Sequence, residues 1–189
     1  MTRRAGRQGW STLAASLWRP VDLPALIRSR RTRKAFAPAP VERATLDALF
    51  ELARWAPNHN LTNPWRFRVL GPRALEALKA AAGPEAAAKL DRAPTLVAAS
   101  VVQTGDPIAD VEDRDAAACA CYIVLLAAHD RGLGGYWRTP EVLRTPAGRA
   151  ACGIPENEAT LALLHLGEAR GDKPAPERAP LESVATHLA

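Results

Sequence analysis

The chain has no apolar stretch long enough to cross a lipid bilayer, which takes about 20 consecutive apolar residues. Its longest apolar stretches, over residues 122–128 and 161–166, are far shorter. The short apolar piece over residues 13–18 contains a serine, precedes Arg19 and lacks a clear cleavage site, so we do not expect a secretory signal peptide. These absences predict a cytoplasmic protein that does not interact with a membrane.

Motifs for metal sites, disulfides and phosphate-binding loops are also missing. The three cysteines (Cys119, Cys121 and Cys152) form neither an even framework nor a CxxC pair, and the four histidines include no HExxH motif. The sequence contains no Walker A loop and no GxGxxG loop. We therefore expect reduced, buried thiols and no metal site.

Positive charge is scarce outside the N-terminal part of the chain. Residues 1–34 hold nine Lys and Arg against one acidic residue, whereas the remaining 155 residues hold sixteen against nineteen. The sequence pI of 9.6 therefore reflects a local cluster. Such a cluster suits a small polyanionic ligand. A solvated tail, or nucleic-acid binding through an arm that also carries Trp10 and Trp18, would have the same charge pattern.

The patterns that are present predict one α+β domain over residues 21–189, after an irregular arm over residues 1–20. Helical spacing with capping and breaking residues predicts helices over residues 22–29, 73–82, 85–91 and 111–130, and a further helix that contains residues 46–53 and that Pro57 stops. Apolar alternation or continuous apolar sequence predicts strands over residues 65–70, 95–102 and 160–166. Because the two kinds of element do not alternate strictly, the class is α+β.

The predicted helix over residues 111–130 is apolar and rich in alanine. Such a helix should be buried, either in the core or against a second subunit. A glycine turn over residues 132–135 is expected to end it.

The first candidate ligand-binding segment is the basic run over residues 28–34, Arg-Ser-Arg-Arg-Thr-Arg-Lys. Guanidinium groups bind phosphate through paired hydrogen bonds, and the threonine hydroxyl adds a neutral donor. A solvated surface is the alternative, because an arginine run at a helix end is weak evidence alone.

The second segment covers residues 53–65, where a helix stops, a polar loop of amides and a histidine follows, and a Pro-Trp pair opens a strand. Loop amides suit the polar rim of a heterocycle, and a tryptophan supplies an apolar wall. An ordinary connection between a helix and a strand would have the same pattern.

The third segment covers residues 132–140, Gly-Leu-Gly-Gly-Tyr-Trp-Arg-Thr-Pro. Glycines let the backbone approach a planar ligand closely. A helix C-cap followed by a strand is the alternative.

Taken together, the order and spacing of these segments resemble the FMN-dependent nitroreductase family, especially its short bacterial members. The resemblance rests on an Arg-Arg-Ser/Thr cluster, then Ala-Arg-Trp-Ala-Pro and Pro-Trp, then Gly-Leu-Gly-Gly with Trp, and a basic residue before Leu-Glu-x-Val. It covers residues 24–186. It implies a mainly antiparallel sheet flanked by helices, a homodimer, and a bound FMN.

The resemblance also implies roles for individual residues. Arg30, Arg31 and Thr32 match the segment that holds the FMN phosphate and ribityl chain. Trp55 and His59 match loop positions that reach the flavin bound mainly to the other subunit. The remaining matches are Asn63, where the family usually has glutamine, the flavin-lining positions Trp137, Arg138 and Thr139, and the late basic residue Arg178 that helps with phosphate.

The activity implied is the transfer of hydride from NADH or NADPH to FMN, followed by reduction of a nitroaromatic, quinone or similar small acceptor in a ping-pong mechanism. The flavin carries this chemistry, so no catalytic side chain is required. Three alternatives stay open: another flavin reaction such as dehalogenation or flavin breakdown, flavin binding without turnover, and nucleic-acid binding through the basic arm.

Overall fold

The computed structural model describes residues 21–188, so the predicted arm over residues 1–20 lies outside the described part. Within the described residues the chain forms six α-helices: α1 (Leu23–Ser29), α2 (Arg43–Ala53), α3 (Pro72–Ala82), α4 (Pro84–Ala87), α5 (Pro107–Asp130) and α6 (Pro146–Ala151). Four strands accompany them: β1 (Trp65–Val69), β2 (Thr95–Val102), β3 (Leu133–Arg138) and β4 (Glu158–Glu168). Short 3₁₀ turns occur at His59–Leu61, Glu141–Arg144 and Leu181–Ser183.

The four strands form one sheet in the order β1-β2-β4-β3, and every neighbouring pair is antiparallel. Helices cover both faces, so the predicted α+β class and the mainly antiparallel sheet are confirmed. β1 and β3 are the two edges. Two strands therefore separate the loop that leads into β1 from the glycine-rich segment that forms β3.

A hydrophobic core lies on each face of the sheet. On one face α2 and α5 pack against it through fully buried residues such as Leu49, Val124 and Leu164. On the other face α3 and α6 cover a second core that contains Leu78 and Leu163. The consecutive residues Leu163 and Leu164 serve opposite faces because side chains alternate along a strand.

A polar cluster ties three strands together on the second face. Arg68 of β1 donates from both Nη atoms to the carboxylate of Glu158 on β4, each at 2.8 Å, and the hydroxyl of Ser100 on β2 also donates to this carboxylate. Burial raises the pKa of Glu158, but the hydrogen bonds from Arg68 and Ser100 and the charges of Arg68 and Arg66 outweigh it, so the net shift is downward.

The expected glycine turn over residues 132–135 is wrong in its extent. Gly132, with φ of 76°, ends the turn after α5, and β3 already begins at Leu133. Gly135 lies inside β3. Only glycine fits at this position, because a Cβ there would stand 2.6 Å from a methyl group of Leu125. These glycines serve the packing of β3 against α5 and against the segment around Arg33, where a Cβ on Gly134 would come within 3.0 Å.

Four other elements differ from expectation. α5 begins at Pro107, four residues earlier than predicted, because the Asp106 carboxylate caps it by accepting from the backbone N–H groups of Ile108 and Ala109. α4 ends at Ala87 instead of continuing to residue 91. β4 extends beyond the predicted 160–166 at both ends, and α6 fills a stretch that was expected to hold only turns.

The thiols only partly match expectation. Cys121 and Cys152 are buried, and burial raises their pKa to about 12 and about 11, which keeps both thiols protonated and unreactive. Cys119, in contrast, is exposed on α5.

Candidate functional site

The basic segment after α1 runs beside β3. The residue pair Thr32 and Gly135 forms an isolated bridge, and the backbone N–H of Arg33 donates to the carbonyl oxygen of Gly135 at 3.1 Å. This pairing joins residues that are about 100 positions apart in sequence. It brings the predicted phosphate-binding residues next to the predicted flavin-lining strand.

The two arginines that sequence reasoning treated alike differ in their contacts. Arg31 donates from its guanidinium to the carbonyl oxygens of Arg28, Arg30 (2.8 Å) and Pro174 (3.2 Å). The guanidinium carbon of Arg30 lies 6.0 Å from the ring centre of Tyr122, and no hydrogen bond joins its side chain to another described residue. Arg31 therefore fixes the backbone of the segment, whereas Arg30 is available for an anion.

His129, in the last turn of α5, lies close to the arginines of the basic segment, and their positive charges affect its pKa. Its Nε2 lies 2.8 Å from the Ser29 hydroxyl. Its pKa is lowered, first by burial and then by the charges of Arg30, Arg33 and Arg31. A group whose protonated form is disfavoured by three arginines lies in a strongly positive region, which suits a phosphate.

At the far end of β3 the three predicted flavin-lining residues have different surroundings. Trp137 is half-buried and packs against the first core. Arg138 donates to the carbonyl oxygen of Lys89 at 3.2 Å and approaches the ring of Tyr136. Thr139 follows β3 directly and lines an open cavity of about 270 Å³.

The loop before β1 is strained and anchored on α5. Asn60, Leu61 and Asn63 all have φ near +50°, a region that residues other than glycine seldom adopt. The backbone N–H of Asn63 donates to Asn58 Oδ1 at 2.9 Å. Three such residues in four positions indicate a shape that the surrounding contacts enforce.

Two side-chain pairs join this loop to α5. His59 Nδ1 lies 2.6 Å from Glu112 Oε2, and the Thr62 hydroxyl donates to the buried carboxylate of Asp113 at 2.6 Å. Nearby, Trp55 is 79% exposed, although tryptophan usually buries much of its ring. Its exposure leaves a large apolar surface uncovered in the single chain.

The structure thus gathers the predicted site residues into two groups. Arg30, Arg31 and Thr32 lie beside β3 with the segment over residues 137–139, and the loop of Trp55, His59 and Asn63 lies at the β1 edge. Three strand spacings separate these edges, a distance of about 14 Å. Arg178 is exposed, and the hydrogen bonds and ion pairs among the described residues do not include it, so the structure does not join it to either group.

Sequence reasoning missed four residues near these groups: His129 and Tyr136 beside the basic segment, and Glu112 and Asp113 beneath the strained loop. Period-two alternation on β3 could have placed Tyr136 on the same face as Arg138. The contacts of the other three join distant parts of the chain, and no local pattern signals them.

A phosphate-bearing flavin fits the donor set around β3. Arg30 offers a planar guanidinium group that makes no hydrogen bond to a described residue, and Thr32 offers a hydroxyl group. The surrounding charge is positive. Among residues 21–188 no helix is long and apolar enough to cross a membrane, and no cluster of His, Cys, Asp and Glu could hold a metal ion.

Comparison with known proteins identifies the family of this chain. The family profile described as "Nitroreductase family" matches residues 27–168. The chain belongs to the nitroreductase family. It is therefore an oxidoreductase by family.

One relative and two solved structures illustrate the similarity. A Haemophilus influenzae protein named "Putative NAD(P)H nitroreductase" is 33% identical over 165 residues, which cover 78% of this chain and 88% of the relative. A nitroreductase-like family protein from Bacillus cereus is 21% identical with a TM-score of 0.81, and the match covers 91% of this chain and 98% of that one. The FMN- and NADPH-dependent nitroreductase NfnB from a Sphingopyxis strain is 18% identical with a TM-score of 0.75, covering 89% and 100%. Both structures share the fold of this nitroreductase-family chain.

Proposed function

We propose that this chain is an FMN-dependent oxidoreductase that takes hydride from NADH or NADPH and reduces small acceptors such as nitroaromatics or quinones. The observation that carries the proposal is the positive cluster beside β3, in which Arg30 has no hydrogen-bond partner among the described residues. The Sphingopyxis neighbour, which is described as FMN- and NADPH-dependent, supports the choice of cofactor.

In this proposal Arg30, Arg31 and Thr32 hold the phosphate, with Arg178 as a further cation supplied by the tail. FMN carries close to two negative charges, and forked, permanently charged donors suit it. Because Arg31 already donates to backbone carbonyls, its main part is to keep the segment in place. Arg30 then makes the larger direct contribution to phosphate binding.

The ring of the flavin is proposed to lie along β3, next to Trp137, Arg138 and Thr139. When bound, FMN accepts hydride from the nicotinamide and passes electrons to the acceptor. The side chains orient the ring, and the positive charge of Arg138 favours an electron-rich ring edge.

The site is proposed to be complete only in a homodimer of the domain over residues 21–189. Trp55, His59 and Asn63 belong to the loop that leads into β1, at the opposite edge of the sheet from β3 and Arg30. Apolar residues on α5 are exposed in the single chain: Ile108 at 73% and Val111 at 59%. A second copy that covers this face of α5 would bury them and bring its own loop to the flavin.

The test is anaerobic reduction of the purified protein by NADH and by NADPH, followed by reoxidation with a panel of acceptors. Rapid bleaching of the flavin by a nicotinamide and reoxidation by nitroaromatics or quinones are expected. Release of halide, destruction of the flavin, or flavin that no nicotinamide reduces would point to the alternative flavin reactions or to a binder without turnover. A colourless protein whose DNA binding depends steeply on salt would favour the nucleic-acid alternative.

A further inference from the structure

A cavity of about 270 Å³ opens next to the proposed flavin position. It begins at Thr139 and Pro140, immediately after β3, and extends between α5, the 3₁₀ turn after β3 and the start of β4. Its volume is near the lower end of the roughly 300–1,000 Å³ that small-molecule sites have. It therefore suits a ligand with a single ring.

Two arginines line this cavity from opposite elements. Arg114 comes from α5 and Arg144 from the 3₁₀ turn. Among residues 21–188 neither guanidinium takes part in a hydrogen bond or an ion pair, although acidic residues flank Arg114 in sequence. Of these, Asp113 is buried and accepts from Thr62 instead. Two cationic forks are thus free to bind an anion.

The remaining wall of the cavity is fixed and mixes polar with apolar groups, since Thr139 and Thr160 line it together with Pro140, Leu143 and Leu161. Leu143 and Leu161 are 1% and 6% exposed, and Pro140 adds a rigid surface. The Thr160 hydroxyl donates to the carbonyl oxygen of Leu143 at 2.8 Å, which commits its proton and ties β4 to the turn. A ligand here meets two positive charges, with Pro140 and the small exposed part of Leu161 as its apolar surface.

We propose that this cavity binds the carboxylate end of an aromatic acid, so that the enzyme prefers acidic aromatic acceptors over neutral ones. The inference rests on the proposed function for the reaction itself, but the binding site depends only on the cavity and its two arginines. The carboxylate accepts hydrogen bonds from Arg114 and Arg144 and is not changed, while the ring lies against Pro140 and the exposed part of Leu161. The nitro group at the opposite end takes up two electrons and two protons to give a nitroso group and water, with the electrons supplied by the reduced nicotinamide.

The direct test is calorimetric binding of benzoate, which cannot be reduced, to the protein as purified. Replacing both arginines (Arg114→Gln with Arg144→Gln) is expected to weaken benzoate binding by about tenfold or more, since each charged hydrogen bond contributes to affinity. Benzamide, the neutral analogue, should bind equally to both proteins. Arg73→Gln on α3, an exposed arginine that does not line the cavity, is the matched control and should change nothing.

A kinetic arm uses 4-nitrobenzoate and 4-nitrobenzamide. The wild type should favour the acid in kcat/KM, and the double variant should lose this preference while its quinone reduction is unchanged. Equal benzoate binding by wild type and double variant would overturn the proposal. The proposal would also be overturned if the double variant bound benzoate normally but discriminated less between NADPH and NADH. The two arginines would then bind the extra phosphate of NADPH. Arginine-dependent benzoate binding in a protein that reduces no acceptor would remove the proposed reaction and leave the site in place.

Discussion

The two edges of the sheet differ in charge and in backbone conformation. Beside β3, cations accumulate: burial and then the charges of Arg30, Arg33 and Arg31 lower the pKa of His129. Lys34 approaches the ring of Tyr136 on β3. At the β1 edge the loop over residues 58–63 has a strained backbone held on α5 by carboxylates. One edge supplies charge for an anion, and the other supplies a fixed shape. In the proposed dimer each edge would carry half of a site, and the two halves would come from different chains.

The largest effect on flavin binding is expected from a substitution that separates the two chains of the proposed dimer. Val111→Arg places a charge on the exposed apolar face of α5, where the second copy is proposed to pack. We expect a monomer by light scattering and loss of copurified flavin. Ala77→Arg, on an exposed position of α3, is the control and should remain dimeric. A monomeric Val111→Arg protein that keeps its flavin would place the whole site in one chain.

The next largest effect concerns the charged edge alone. Arg30→Ala combined with Arg31→Ala should weaken FMN binding by about 100-fold or more, because two charged donors are lost. Added FMN should partly restore activity. Arg73→Ala with Arg43→Ala, both exposed on other helices, should bind FMN normally.

The single variants sharpen this comparison within the edge. Arg30→Ala should lower FMN affinity without changing the free energy of unfolding, whereas Arg31→Ala should lower both, since Arg31 holds backbone carbonyls. Equal effects of the two variants on the free energy of unfolding would contradict these different roles of Arg30 and Arg31.

A smaller effect, on the pH dependence of the free energy of unfolding, is expected from a buried histidine on β4, the strand next to β3. His165 of β4 is fully buried, and neither ring nitrogen has a hydrogen-bond partner among the described residues. Burial, and then the charges of Arg138 and Arg92, lower its pKa to about 4 from 6.5 in the unfolded chain. The unfolded state therefore binds more protons between pH 6.5 and 4, so stability falls as the pH drops through this window.

We expect this histidine to cost the wild type about 2 kcal/mol in the free energy of unfolding between pH 7.5 and pH 5. His165→Leu should remove that part of the slope in urea denaturation, and it should not lower stability at pH 7.5, because it removes an unpaired buried polar group. His187→Gln, on an exposed residue of the tail, is the control. An unchanged slope in His165→Leu would show that burial does not lower the pKa of this histidine.

The smallest effect tests the shaped edge. Asn63→Gln restores the side chain usual in the family, but Asn63 has φ of 48°, which asparagine tolerates better than glutamine does. We expect a loss of up to about 1 kcal/mol in stability, measured by urea denaturation, with flavin still bound. A gain in stability would mean that the loop does not impose the left-handed backbone.

Local sequence patterns predicted much of the scaffold and part of the site. Helical spacing located α2 and most of α5, and alternation located β1, because these signals depend only on neighbouring residues. β3 was missed in part because Gly134 and Gly135 look like a turn, yet they are there to let α5 and the basic segment approach. The bridge between Thr32 and Gly135 and the pair of His59 with Glu112 join distant residues. No local rule predicts such contacts, and they decide which residues share a site.

The most direct test of the account is the identity and amount of the cofactor in the purified protein. Denaturation is expected to release non-covalent FMN, one per subunit, from a species of twice the 20.3 kDa chain mass. FAD in place of FMN, or no flavin bound even after incubation with excess FMN, would contradict it.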